Sequence, residues 1–287
     1  LTERHGGPSG CRALRPAAAA IVGAGFLHDA STMIDTLLTF LDGGLTGASL
    51  PWMLLWFVVA AQLTILSVTL YLHRCQAHRG VDLHPALAHV FRFWLWLTTA
   101  MVTKEWVAVH RKHHARCETE EDPHSPVVHG IGKVVWHGVA LYSQASRDRA
   151  SVEQYGHGTP DDWIERNLYA RFAPLGPTLL LFAYLAAFGI GGVAMWALQM
   201  LVIPICAAGL VNGLGHWWGY RNFDTDDRSH NLVPWAVLLG GEELHNNHHA
   251  FPSSARFALR RGEFDIGWLL LRGFQRLGLA RVRRVAP

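Results

Sequence analysis

The chain has 287 residues, of which half are hydrophobic, 16% are charged and 18 are histidine, and its formal net charge is +3. That balance excludes a disordered chain, which needs low hydrophobicity and high net charge. Cys11, Cys75, Cys117 and Cys206 are scattered without a CxxC spacing, which argues against a disulfide framework and a cysteine-based zinc or iron–sulfur site. Lysine occurs only at Lys104, Lys112 and Lys133, so 22 of the 25 basic residues are arginine. No basic run is interleaved with aromatics as in a nucleic-acid-binding surface, and the arginines read as cytoplasmic flanks of membrane segments.

Residues 1–32 carry little pattern: the chain begins at Leu1, and an alanine run leads into Ala17–Leu27, too short to span a bilayer. The first methionine is Met33, where an amphipathic pattern begins. The expected natural start lies there, with 1–32 a disordered or non-native extension and 33–287 one membrane domain. Leu50–Leu72 is an uncharged run of 23 residues, about 34 Å as a helix and enough to cross. Leu83–Thr103 is apolar but carries His89 and Arg92. From Phe172 to Tyr220, 49 residues lack a formal charge, roughly 74 Å of helix and too long for one crossing. The Gly189-Ile190-Gly191-Gly192 cluster predicts a hairpin with spans near 175–188 and 193–211. The polar stretches 104–171 and 217–287 are expected to form a cap on one membrane face.

Three histidine clusters organise the rest. His73-Arg-Cys-Gln-Ala-His78 follows the first span, His110-Arg-Lys-His113-His114 follows the Leu83–Thr103 stretch, and His245-Asn-Asn-His248-His249 lies near the C-terminus. In HxxHH the three rings share one helix face and can converge on one or two ions. HxxxxH is less regular for a helix and fits the end of a span. Asn212 and His216, four apart, share a face at the end of the last span. Clusters that share a site must lie on one side of the membrane, so Leu83–Thr103 cannot cross and is expected to lie in the interface, with Arg92 and His89 facing headgroups or protein. Three crossings follow, with a fourth only if residues 17–45 insert. Arg74, Arg79, Lys104, Arg111, Lys112, Arg221 and the arginine-rich tail lie on the histidine side, which the positive-inside rule makes cytoplasmic, in an inner membrane. Nine neutral imidazoles without thiolates suit iron, zinc or copper, and fit two ions at four or five ligands each. Redox-active iron with open positions for dioxygen is the better chemical fit, and the apolar surround suits a lipid chain. A metal transporter would place its ligands at mid-membrane rather than at span ends.

Over roughly residues 45–287 the chain resembles the membrane-bound fatty acyl desaturases, in their bacterial branch. The resemblance rests on the three boxes and their surroundings: Glu118-Thr-Glu-Glu-Asp122-Pro-His124-Ser, Asn212 to His216 followed by Gly219-Tyr220-Arg221, Gly241-Glu-Glu-Leu-His245-Asn-Asn-His-His249 followed by Phe251-Pro252, the closing Phe264-Asp265-Ile266-Gly267-Trp268, and Gly278-Leu-Ala-Arg-Val. It implies an all-α membrane protein whose cytoplasmic cap holds a nonhaem diiron site. The implied iron ligands are His73, His78, His110, His113, His114, His216, His245, His248 and His249, with Asn212 reaching an iron through a water. Trp106 is implied to line a bent tunnel for the acyl chain, and Asp122 and His124 to support the ligands. The implied reaction uses dioxygen and two electrons to introduce a cis double bond, delta-9 by expectation, into a saturated chain. Membrane hydroxylases and ketolases acting on alkanes, sterols or carotenoids use similar boxes; the Asp-Pro-His and Asn-Asn-His-His-Ala-Phe-Pro settings favour desaturation.

Two departures bear on the substrate. Eukaryotic acyl-CoA desaturases carry an Arg-Asp pair directly before the second box, where Ala108-Val109 stand here, and no basic pair is evident near 135–141. This favours an acyl chain on a membrane glycerolipid over acyl-CoA. The first transmembrane hairpin of the family is expected to be shortened, because residues 1–45 give no good span. The chain has no GxGxxG, CxxCH or ferredoxin cysteine pattern, so electrons are expected from a ferredoxin-, rubredoxin- or cytochrome-type carrier with its reductase, steered by the arginine-rich face. Glu242 and Glu243 are open to two readings, a hydrogen bond to a ligand imidazole or complementing a helix dipole.

Overall fold

A computed structural model describes residues 31–287. The alanine run and the rest of the extension up to residue 30 lie outside the described residues. A helix through 31–43 (α1), where the amphipathic pattern begins, ends in a tight turn against the Gly189 region: the Leu45 and Thr46 amides donate to the Ala186 and Ala187 carbonyls. The chain then enters α2 (Leu50–Ser67), which starts with Pro51 in its first turn and continues as a π-helix through Val68–Ala77. Together they form one largely apolar helix of 28 residues, Leu50–Ala77, only 28% of whose most apolar window is buried. The core helix of a soluble protein would be mostly buried.

Helix α3 (Pro85–Thr99) is started by Pro85 and by His84, whose Nδ1 accepts the Ala86 amide, and is ended by Ala100 in the left-handed conformation. It returns the chain directly into α4 (Thr103–Ala115). The two ends of this excursion meet again, since His78 and His110 approach to 2.7 Å. Between His78 and His110 the chain therefore goes out along α3 and comes back along α4, which brings the first two boxes together. Arg92 faces protein: it forks onto Asp162 and also binds Glu165.

Short α5 (Pro126–His129) packs on α6 (Ile131–Arg147), and α6 and α7 (Arg149–Tyr155) pack beside α4. The second long apolar element begins with α8 (Leu175–Ile203) and runs on through a π-helix (Pro204–Gly213) and a 3-10 turn (Leu214–His216). By composition it is one stretch of 42 residues, but α8 is two arms folded at Gly189 (φ 63, ψ −145). The Trp196 indole donates to the Pro177 carbonyl at 2.8 Å, two atoms that a straight helix would hold about 28 Å apart. Gly192 lets the arms close, for a Cβ there would lie 2.0 Å from the Tyr184 carbonyl. The hairpin expected from the glycine cluster is the one observed. The described residues are mostly helical, and among them two elements are long and apolar enough to cross a membrane.

The C-terminal part ties itself to the end of α2. Strand β1 (Val81–Leu83) pairs antiparallel with β4 (Ala280–Val282), and β2 (Trp235–Ala236) pairs parallel with β3 (Phe264–Asp265). Between these lie α9 (His245–Ala250) and α10 (Ile266–Arg276), whose first turn is capped by Asp265. Arg74, fully buried, donates to both Asp265 oxygens at 3.0 Å and to the Ala255 and Gly240 carbonyls, and lies over the Phe257 ring. Burying this pair is affordable because every charge is met by several partners. Arg74 was expected among the cytoplasmic surface charges; it is instead an internal clamp. Arg111 likewise spends its guanidinium on the Gln76, Ala77, Tyr155 and His157 carbonyls.

Candidate metal centre

The π-helix explains the five-residue spacing of the first box. In a π-helix the repeat joins residue i to i+5, and the His78 amide donates to the His73 carbonyl at 3.0 Å. The two rings therefore lie on one face and meet edge to face, centroids 4.8 Å apart. The second box lies on the last turns of α4 and the third forms α9. His216 ends the 3-10 turn, and Asn212, in the π-helical segment before it, lines the cavity described below.

The nine imidazoles gather into two groups. His73, His78, His110, His114 and His248 have ligand nitrogens all within 4.8 Å of one another, with closest Nε2–Nε2 approaches of 2.7 Å (His78–His110), 3.0 Å (His114–His248) and 3.1 Å (His73–His248). The second group joins His113, His216 and His249 with His245, whose Nε2 is 2.9 Å from that of His216. In each HxxHH box the outer pair, four apart, serves one group and the middle histidine serves the other. The second and third boxes thus each contribute to both groups, whereas both histidines of the first box serve the first group.

Carboxylates hold the rings from behind. The Nδ1 of His73 contacts Glu242 (2.7 Å), that of His113 both oxygens of Asp122 (3.0 Å), that of His216 Glu118 (3.4 Å) and that of His249 Asp227 (2.7 Å). An Nδ1–H given to a carboxylate leaves the Nε2 lone pair facing inward, the tautomer a metal needs. The His249 Nε2 is buried without a hydrogen-bond partner. Burial first, and neighbouring imidazoles second, hold His78, His110, His114, His245, His248 and His249 well below the ordinary imidazole value, hence neutral. Five and four imidazole nitrogen donors, converging on one another, fit two first-row metal ions. The Cys117 sulfur lies 4.0 Å from His113 Nε2, but burial pushes its thiol up, so it stays protonated and competes poorly with imidazole.

Of the other expected residues, Trp106 stacks on His110 (5.0 Å, 11°), and His124 stacks on His113 (4.4 Å), with burial holding its imidazole down at about 3. Glu118 and Asp227 were not assigned a role from the sequence. Glu118 falls inside a motif already noted, whereas Asp227 sits in a loop whose spacing to His249 carries no signal. Asn246 and Asn247, between the third-box histidines, point away from the imidazoles. Asn246 accepts the Asn222 and Phe223 amides, and Asn247 joins Asn222, Asn231, the Phe257 carbonyl and Glu263, fixing α9 in place.

A cavity of about 360 Å³ opens off the imidazoles of His73, His110, His124 and His245. Trp106, Val109 and Asn212 line it near that end, and it continues between the α3–α4 turn, α6 and the second arm of α8. Ala108 and Val109 are buried, so the pair before the second box presents no polar surface.

The chain matches the family model described as fatty acid desaturase over residues 50–263. It is 34% identical to Delta-9 acyl-lipid desaturase 2 of Arabidopsis thaliana, over 80% of this chain and 74% of that protein. It is 30% identical to the sn-1 stearoyl-lipid 9-desaturase of Anabaena variabilis, over 86% and 88%. A probable chloroplastic lipid desaturase of Arabidopsis thaliana is 34% identical over 80% of this chain, which spans 62% of that relative's length.

Proposed function

The chain belongs to the fatty acid desaturase family, and from that premise we propose that it introduces a cis double bond, at the delta-9 position, into a saturated acyl chain carried on a membrane glycerolipid. The observation that carries this reading is the convergence of nine imidazoles into two groups at the inner end of an apolar cavity. His73, His78, His110, His114 and His248 would hold one iron and His113, His216, His245 and His249 the other, and Asn212 would reach an iron through a water. Two irons bound there supply dioxygen activation, and the balance is one dioxygen, two electrons and two protons against two hydrogens lost from adjacent methylenes and two waters formed. Glu242, Asp122, Glu118 and Asp227 keep the rings of His73, His113, His216 and His249 in the metal-facing tautomer. Trp106 and Val109 keep the reacting methylenes against the histidine end of the cavity and exclude water.

The glycerolipid reading draws on the relatives' substrates and on the buried Ala108-Val109, which leave nothing polar for a nucleotide beside the second box. Three crossings fit the exposed apolar flanks of α2 and both arms of α8, such as Trp52, Val58, Phe182 and Leu198. The polar cap then sits on the cytoplasmic side of an inner membrane, where a ferredoxin-, rubredoxin- or cytochrome-type carrier supplies electrons. Expression in a desaturase-deficient host, with fatty acids profiled from phospholipid and thioester pools, tests the reading. A new cis double bond appearing first in phospholipid is expected; a hydroxylated product with no alkene would sink it. His248→Ala is expected to abolish turnover and lower bound iron.

A further inference from the structure

The cavity has to open somewhere, and its wall shows where. Among the residues that line it, Val139 alone is exposed, at 57%. Val139 stands on α6 where that helix packs along the Pro204–Gly213 segment. One residue earlier the two elements touch almost backbone to backbone, since a Cβ on Gly138 would lie 2.4 Å from the Ala208 Cβ. Both walls are irregular at this point: α6 breaks helical geometry at His137 (φ −124, ψ 18), and its partner is π-helical. Such interruptions recur at functional sites.

The surface around this mouth is that of a membrane boundary. Trp136 is 83% exposed, and Lys133, His137 and Ala140 share its side of α6 by helical spacing. The facing arm exposes Leu201 and Ile205 at more than half of their surface. An exposed tryptophan with a lysine one turn away matches the headgroup level, with the ring in the boundary and the ammonium among phosphates. Leu201 and Ile205 belong to the same apolar element that is long enough to cross the membrane. A soluble thioester arriving from water would have to pass that apolar rim.

We propose that the acyl chain enters sideways from the bilayer along the seam between α6 and the π-helical segment Pro204–Gly213, beside the Gly138–Ala208 contact, with Val139 as its lip and α6 lying at headgroup level. The occupant is one acyl chain of an intact glycerolipid whose headgroup stays among its neighbours. The proposal rests on the desaturase reading for the meaning of the cavity but not for the position of its mouth.

Two measurements on the full chain test it. The protein, reconstituted in vesicles of phosphatidylcholine bearing a mid-chain diazirine, is irradiated and its cross-linked peptides mapped. Adducts on α6 around Val139 and on 203–212 are expected; adducts confined to the outer faces of α2 and α8 would overturn the portal, with or without catalysis. In the desaturase-deficient host, Val139→Trp is expected to lower phospholipid desaturation about tenfold at unchanged bound iron, because an indole fills the lip, while Val139→Ala retains activity. Equal activity of Val139→Trp and the parent, with the iron retained, would overturn it. If the parent makes no double bond in any lipid, the desaturase reading falls while the cross-link map still decides the portal.

Discussion

At His73 the Nδ1 proton has one acceptor, the Glu242 carboxylate at 2.7 Å, which also takes the Thr69 hydroxyl. The two sequence readings of Glu242, a hydrogen bond to an imidazole and a charge at a helix start, therefore separate in favour of the first. Glu242→Gln keeps the size but removes the charge that raises ring basicity. Loss of such a partner weakens metal binding about 10–100-fold, so this variant is expected to release iron to a chelator at lower concentrations than the parent, with its helical content unchanged. Iron retention equal to the parent would return Glu242 to a purely structural role. Asp227→Asn offers the parallel test at His249, whose Nδ1 it meets at 2.7 Å. Asp227 is itself held by the Ser229 hydroxyl and amide and by Thr225, so its position is rigid before any ion binds.

At the level of elements, the turn of the hairpin depends on one backbone conformation. Gly189 has φ 63, and a Cβ there would lie 2.3 Å from the Leu41 carbonyl oxygen at the end of α1. Gly189→Val meets both the left-handed penalty and the clash, and is expected to cost about 1–3 kcal/mol, seen as a lowered thermal midpoint. Gly43→Ala, with nothing within 4 Å of its new methyl, should change it little. The glycine cluster made this turn legible in the sequence because left-handed conformations are nearly reserved for glycine. The second and third boxes were legible for a similar reason: both sit on α-helices, where HxxHH spacing fixes ring direction. The first box was less so, because five residues per repeat belongs to a π-helix, for which composition gives no warning. Asp227 and the Arg74–Asp265 clamp were not legible at all. They join residues far apart in sequence through loops, and no local period encodes them.

Over the whole molecule, the polar half is held together by its buried imidazoles and its clamp, while the apolar half leaves its flanks uncovered. The imidazoles come from the π-helical continuation of α2, from α4, from the 3-10 turn that follows α8 and from α9, so ions bound among them would join four segments. Anything that binds the folded state alone stabilises it by RT ln(1 + [L]/Kd), and chelation is expected to lower the thermal midpoint in detergent, with ferrous iron restoring it. The pH dependence has a defined sign. His78, His110, His114, His245, His248 and His249 are held well below their ordinary values in the folded chain, whereas the unfolded chain protonates near pH 6.5. Below about pH 6.5 the unfolded state takes up protons that the folded state refuses, so stability falls as pH falls, by up to about 1.4 kcal/mol per pH unit for each such group. Above about pH 7.5 both states leave these rings neutral and the effect vanishes. Thermal midpoints measured from pH 8 to pH 5 should therefore be level at the alkaline end and drop steeply below 6.5. A flat profile across that range, or a midpoint indifferent to chelation, would show that these rings do not bear on the stability of the fold.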